Sequence, residues 1–125
     1  MSESATPRKV RTHTLRDFKR EGRPITMLTS YDTFSARIFD EAGIDVLLVG
    51  DSAGNTVLGY DSTVYTKHED IVRFTGAVAR SCTRPLVLAD LAFGTYQASV
   101  EDAVRHGVEL MQAGAHAVKL EGGRE

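Results

Sequence analysis

Three acidic residues, Asp51, Asp90 and Glu121, each stand at the end of a short apolar run. The runs are Val46-Leu47-Leu48-Val49, Leu86-Val87-Leu88-Ala89 and the stretch from His116 to Leu120. Carboxylates brought together repel one another, and a hard cation relieves that repulsion. With oxygen ligands only, Mg²⁺ is the natural ion, because it takes few carboxylates and fills its remaining positions with water or substrate oxygens. Lys119, two residues before Glu121, adds a cation suited to a substrate carboxylate or an enolate oxygen. The chemistry implied is chelation of a small anionic keto acid, which polarises its carbonyl and acidifies the α-carbon. Ser52, beside Asp51, is either a cap for backbone amides or a donor to the ligand carboxylate.

Taken singly, an aspartate after a strand is most often a turn or cap residue. Three of them, with Lys119 in register, favour a site. Strand alternation adds to this. It groups Leu47, Val49 and Asp51 on one face, Leu86, Leu88 and Asp90 on another, and Ala117, Lys119 and Glu121 on a third, with Val118 and Leu120 turned to the helices. A lysine and a glutamate on an interior face are costly unless paired or bound.

The remaining candidates carry less. His13, His68, His106 and His116 lack zinc-ligand spacing, and His68 falls in the first turn of a helix, an exposed position. Gly50 to Asn55 matches neither the dinucleotide nor the P-loop glycine pattern, and no Ser–His–Asp arrangement emerges. Asp32 reads as a helix N-cap, Asp61 as a turn residue and Cys82 as an inert thiol near a helix end. Tyr31, Phe93 and Tyr96 flank the loops of the acidic rim, as core packing or as pocket lining.

The elements that must position these residues alternate. Residues 1–10 read as a disordered lead-in. Thr14 to Glu21 is a short helix stopped by Gly22, and Pro24 opens a strand over residues 25–29, a position where its missing N–H costs least. Phe34, Ile38 and Ala42 share a helical face with Phe39 beside them, and Gly43 ends that helix. The continuous run 46–49 suits a strand buried on both faces. A loop from Gly50 to Tyr65 leads to Thr66-Lys67-His68-Glu69, which reads as a capping box, and to a helix with Ile71, Thr75, Val78 and Ala79 on one side. After the strand at residues 86–89, Ser99 caps a helix whose Val100, Ala103, Val104, Gly107, Val108 and Met111 repeat at helical spacing. Gly114 ends it before the fourth strand.

The order β-α-β-α-β-α-β predicts an α/β fold of right-handed parallel units. Two architectures fit, an open doubly wound sheet or a (β/α)₈ barrel. A barrel needs roughly 250 residues, so this chain would supply about its first four β/α units, as residues 11–125. In either fold the strand C-termini share one rim, and active sites lie there.

Composition sets wider bounds. The chain has 125 residues, 42% hydrophobic and 26% charged, with a net charge of -2, which argues against nucleic acid or an anionic membrane as partner. No apolar run approaches the ~20 residues that span a bilayer. The polar N-terminus has no signal-peptide core, and a single cysteine excludes an internal disulfide. These features suggest a cytoplasmic protein.

Four segments resemble the ketopantoate hydroxymethyltransferase family. They are residues 28–32 (Leu-Thr-Ser-Tyr-Asp), residues 47–55 with 59–63, residues 89–96 (Ala-Asp-Leu-Ala-Phe-Gly-Thr-Tyr) and residues 114–123. The likeness runs from about residue 11 to the end, with its motifs in order. It implies a TIM-type barrel, assembled as a homo-oligomer, typically a decamer. The implied reaction moves a hydroxymethyl group from 5,10-methylenetetrahydrofolate to α-ketoisovalerate, giving ketopantoate for pantothenate and coenzyme A synthesis. By motif match Asp51, Asp90 and Glu121 would bind Mg²⁺, and Asp51, Ser52, Asp90 and Lys119 the keto acid. The family's glutamate base and much of its folate contact lie in a second half, so no catalytic base is assignable here and the chain alone is expected to be inert. Ala92 replaces a usual proline, and residues 64–67 depart from a proline-containing segment. The rival readings are a Mg²⁺-dependent keto-acid lyase or mutase of the phosphoenolpyruvate-binding type, and a non-catalytic fragment.

Overall fold

The computed structural model describes residues 8–122. Of the expected lead-in, residues 1–7 lie outside the described residues. Residues 8–10 are not a loose lead: Val10 is buried, and its N–H donates to the carbonyl of Arg84 at 2.8 Å.

Helix α1 (Thr12–Arg20) is followed by β1 (Met27–Thr29), α2 (Thr33–Glu41), β2 (Val46–Val49), the short α3 (Ala53–Thr56), a 3₁₀ turn (Thr63–Tyr65), α4 (His68–Ala79), β3 (Leu86–Asp90), α5 (Val100–Ala113) and β4 (Ala117–Lys119). The four strands form one parallel sheet in the order β1-β2-β3-β4. A doubly wound sheet reverses its strand order at a switch point. The unbroken order here is that of a barrel, and the chain forms a partial TIM-type barrel of four strands.

Local chemistry sets the element ends. Asp32 caps α2 by accepting the Ser35 N–H at 2.7 Å, and Ser99 caps α5 by accepting the Asp102 N–H at 3.1 Å. Gly43 and Gly114 adopt φ of 82° and 122° just past α2 and α5, where a side chain would be strained. The expected capping box at residues 66–69 does not form. Lys67 is the N-cap, without a side-chain bond, and the Thr66 hydroxyl is committed elsewhere.

The core lies between sheet and helices. Leu47, Val49, Val87 and Ala89 pack with Ala36, Ile71, Val78 and Leu110. Fully burying a Leu or Ile contributes about 1.5–3 kcal/mol, so this layer fixes the register of the strands. A second cluster, Val10, Val46 and Leu86 with Leu15, Leu88 and Ala117, covers the opposite face of the sheet.

This register corrects the alternation expected for β2. Val46, Leu48, Leu86 and Leu88 pair across β2 and β3, and Leu88 and Asp90 pair with Ala117 and Lys119. Leu47 and Val49 therefore sit on the helix side with Val87 and Ala89, not on the face of Asp90 and Lys119. Asp51 escapes that parity because β2 ends at Val49 and the chain turns at Asp51.

Two helix faces read as core are open in this chain. Phe34 and Ile38 of α2 are 78% and 61% exposed, as are Val100 and Val104 of α5 at 75% and 61%. Both helices flank the outer strands β1 and β4, where the sheet has a neighbour on one side only. Among the described residues no helix is long and apolar enough to cross a membrane.

Candidate functional site

The C-terminal rim of the sheet gathers Asp51, Ser52, Asp90 and Lys119. Asp90 is the last residue of β3 and is buried, with Lys119 its register partner on β4. Asp90 Oδ2 accepts the backbone N–H of Asp51 at 2.9 Å. The carbonyl of Asp51 in turn accepts the Thr66 hydroxyl at 2.8 Å. The Asp51 peptide is thus held on both sides, and its half-buried carboxyl makes no ion pair among the described residues.

Glycines make this turn possible. A Cβ on Gly50 would meet Ser52 Oγ at 3.0 Å and Asp90 Oδ2 at 3.5 Å, and one on Gly54 would collide with the Thr66 hydroxyl. Residues 64–67, which depart from the family pattern, therefore reach the site through buried Thr66. Ala92, the other departure, is buried in the turn after β3, where its carbonyl accepts the Thr95 N–H and hydroxyl.

Ser52 does not cap α3 with its side chain; its Oγ lies 2.5 Å from the hydroxyl of Tyr31. Tyr96 also reaches the rim, its hydroxyl accepting the Glu121 N–H at 3.3 Å, whereas Phe93 is exposed. Lys119 Nζ lies 2.8 Å from Asp90 Oδ1 and 3.1 Å from Glu121 Oε1. Glu121 thus joins the group through Lys119, and its own side chain is 76% exposed. Among the described residues no three acidic, histidine or cysteine side chains stand close enough to enclose one ion.

Burial, and then the neighbouring Asp90 and Glu121, push the Asp51 carboxyl above the usual aspartate range, against the pull of Lys119 and the Ser52 amide. Partial burial alone would lower the Lys119 ammonium. Asp90 and Glu121 outweigh it and hold the lysine above its ordinary value, so it is a firm cation at neutral pH. Both oxygens of the buried Asp90 carboxylate are engaged, Oδ2 by the Asp51 N–H and Oδ1 by the Lys119 ammonium at 2.8 Å.

Outside the rim, His68 is not the exposed residue expected. Its side chain is 10% exposed, with Nε2 2.8 Å from Glu109 Oε2 and its ring edge-on to His106. His116 holds β4 to β3, its Nδ1 accepting the Val87 N–H at 2.9 Å while burial lowers its basicity. Burial raises the Cys82 thiol, in line with an unreactive side chain.

Sequence patterning missed Asp45, which is 1% exposed at the opposite end of β2. It binds Arg84 at 2.7 Å, Arg23 at 3.2 Å, and the amide and hydroxyl of Thr26 at 3.0 and 3.1 Å. Burial alone would raise this carboxyl, but the four donors bring it down to about 2. The available signal was an aspartate just before one strand and an arginine just before the next.

Residues 9–125 match the family described as ketopantoate hydroxymethyltransferase. The chain is 54% identical over 121 residues to the 3-methyl-2-oxobutanoate hydroxymethyltransferase of Leifsonia xyli subsp. xyli, covering 96% of this chain and 44% of that protein. It is 56% identical over 118 residues to the enzyme of the same name from Saccharopolyspora erythraea, covering 94% and 40%. The chain therefore spans somewhat under half the length of these curated relatives. Among solved structures, phosphoenolpyruvate phosphomutase from Streptomyces platensis subsp. rosaceus superposes with a TM-score of 0.69 at 18% identity, over 85% of this chain and 36% of that one. A phosphonopyruvate hydrolase complexed with oxalate and Mg²⁺ gives 0.68 at 17%, over 83% and 36%. These two likenesses concern the fold, whereas the sequence matches extend along nearly the whole chain. On that sequence evidence the chain belongs to the ketopantoate hydroxymethyltransferase family.

Proposed function

We propose that residues 11–125 form the N-terminal half of a barrel domain that makes ketopantoate from α-ketoisovalerate, with 5,10-methylenetetrahydrofolate as one-carbon donor. In this reading the chain carries the Mg²⁺ and keto-acid site. The observation that carries it is the convergence on one rim of the Asp51 carboxyl, disfavoured as an anion and without an ion pair among the described residues, with the buried Asp90 and the Lys119 ammonium.

The donor chemistry suits a hard cation, with water and substrate oxygens expected to fill the positions that the carboxylates among the described residues do not enclose. Asp51, Asp90 and Glu121 offer oxygen only, and the raised Asp51 carboxyl is destabilised as an anion until positive charge arrives. Bound there, Mg²⁺ would polarise the keto acid's carbonyl. Asp51 and Asp90 orient that end of the site through the hydrogen bond that the Asp51 N–H donates to the Asp90 carboxylate. Lys119 supplies fixed positive charge for the substrate carboxylate or for negative charge developing on its carbonyl oxygen, an interaction that strengthens in a water-poor site. Ser52 donates to the carboxylate. No side chain described at the rim is placed as the base that removes the α-proton, and that group and the folate contacts are assigned to the second half of the domain. The chain alone is then inert, and the working enzyme is a cytoplasmic homo-oligomer serving pantothenate and coenzyme A synthesis.

Asp90→Ala in a complete enzyme tests the assignment. Loss of ketopantoate formation by at least about a hundredfold is expected, the scale of removing a group that stabilises developing charge. Near-normal turnover with Mg²⁺ sinks the site. Folate-independent cleavage of a single keto-acid substrate would instead favour a lyase.

A further inference from the structure

We infer that Tyr31 is a positioning residue for the keto-acid site, acting through Ser52, an assignment that rests on the reading above. Tyr31 lies just beyond β1 and Ser52 just before α3, yet their hydroxyl oxygens are 2.5 Å apart. The contact is braced from both sides. The Tyr31 ring packs on Phe74 of α4, with centroids 6.3 Å apart and planes at 60°. Ser52 is held over Gly50, where a Cβ would meet its Oγ at 3.0 Å.

The chemistry gives the bond a direction. A serine hydroxyl has one proton to donate and two lone pairs to accept with. A phenolic O–H is more polarised than an aliphatic one and so is the better donor. With Tyr31 donating, the single Ser52 proton is free to point at an anion in the site. Ser52 spends none of its hydrogen-bonding capacity on the amides of α3. A hydroxyl that already accepts a bond is also a better donor, because successive hydrogen bonds polarise one another. Tyr31 thus sets both the orientation and the strength of the Ser52 bond to a carboxylate, without touching the ligand itself.

The test is a double-mutant cycle read by calorimetric titration of α-ketoisovalerate into the chain at fixed Mg²⁺. Tyr31→Phe keeps the ring on Phe74 and removes only the hydroxyl. It should weaken binding about three- to tenfold, the scale of one net hydrogen bond. The affinity for Mg²⁺ alone should not change, whereas a general loosening of the rim would move it. Ser52→Ala should also weaken binding, and the double variant should bind as Ser52→Ala does. Binding by Tyr31→Phe equal to the unsubstituted chain, or full additivity of the two changes, overturns the inference while leaving the site assignment intact. Absence of Mg²⁺-dependent binding by the folded unsubstituted chain overturns both.

Discussion

The two ends of the parallel sheet use the same kinds of side chain to opposite effect. At the N-terminal end Asp45 is buried with every bonding direction answered, by Arg84, Arg23 and Thr26. At the C-terminal end the Asp51 carboxyl carries raised affinity for a proton and no ion pair among the described residues, and one ammonium, Lys119, is shared between Asp90 and Glu121. A saturated cluster has nothing left to offer a ligand and serves the fold. An undersatisfied cluster costs the fold stability and is retained where something binds. This division follows the general rule for barrels, in which the strand C-termini carry chemistry and the N-termini carry stability.

Substitution at the saturated end should break the contrast most strongly. Asp45→Asn leaves the largely covered Arg84 without its anion, and breaking a buried pair in this way costs about 3–5 kcal/mol. Denaturant unfolding of the chain should register that loss. A change under 1 kcal/mol would mean that Asp45 is not the anchor described. The same substitution at the other end, Asp51→Asn, should leave the fold as stable as before or more so, because it removes a carboxyl whose ionised form is disfavoured.

The pH dependence should separate the two ends more gently. With its folded pKa of about 2 below the ordinary 3.8, Asp45 contributes stability that is fully present above the unfolded pKa and is lost as pH falls toward 2. Asp51 has the opposite sign. Its folded pKa lies above the unfolded one, so its ionisation opposes folding as pH rises, and protonation on acidification relieves that opposition. Mg²⁺ affinity should accordingly fall on acidification at a higher pH than an ordinary aspartate would give. Thermal unfolding and Mg²⁺ titration across the acid range would measure both. Loss of stability and of Mg²⁺ affinity in the same pH window would contradict the contrast.

Much of this was legible in the sequence because apolar runs, caps and acidic strand ends are local signals. The strands at residues 46–49 and 86–90, the Asp32 and Ser99 caps and the glycine stops all lie where the pattern put them. What stayed hidden was set by contacts distant in sequence. The face of β2 turned to the helices depends on register with β3, so alternation from Asp51 backwards misplaced Leu47 and Val49. Thr66 left its capping role because the Asp51 carbonyl offered a buried partner. Asp45 escaped notice, and His68 was read as exposed, because Arg84 and Glu109 lie 39 and 41 residues away. The apolar stripe of α5 was real, but four of its six residues, Val100, Val104, Val108 and Met111, are exposed. The rim residues Asp51, Ser52, Asp90 and Lys119 were found because each sits at a strand end, while the Tyr31–Ser52 bond joins two loops and needs coordinates to appear.

The central claim, that this half of the domain already holds the Mg²⁺ and keto-acid site, is tested most directly by calorimetric titration of α-ketoisovalerate into the folded chain with and without Mg²⁺. Binding should require Mg²⁺ and disappear in Asp51→Asn. A folded chain that binds α-ketoisovalerate equally well without the ion, or not at all with it, would contradict the claim.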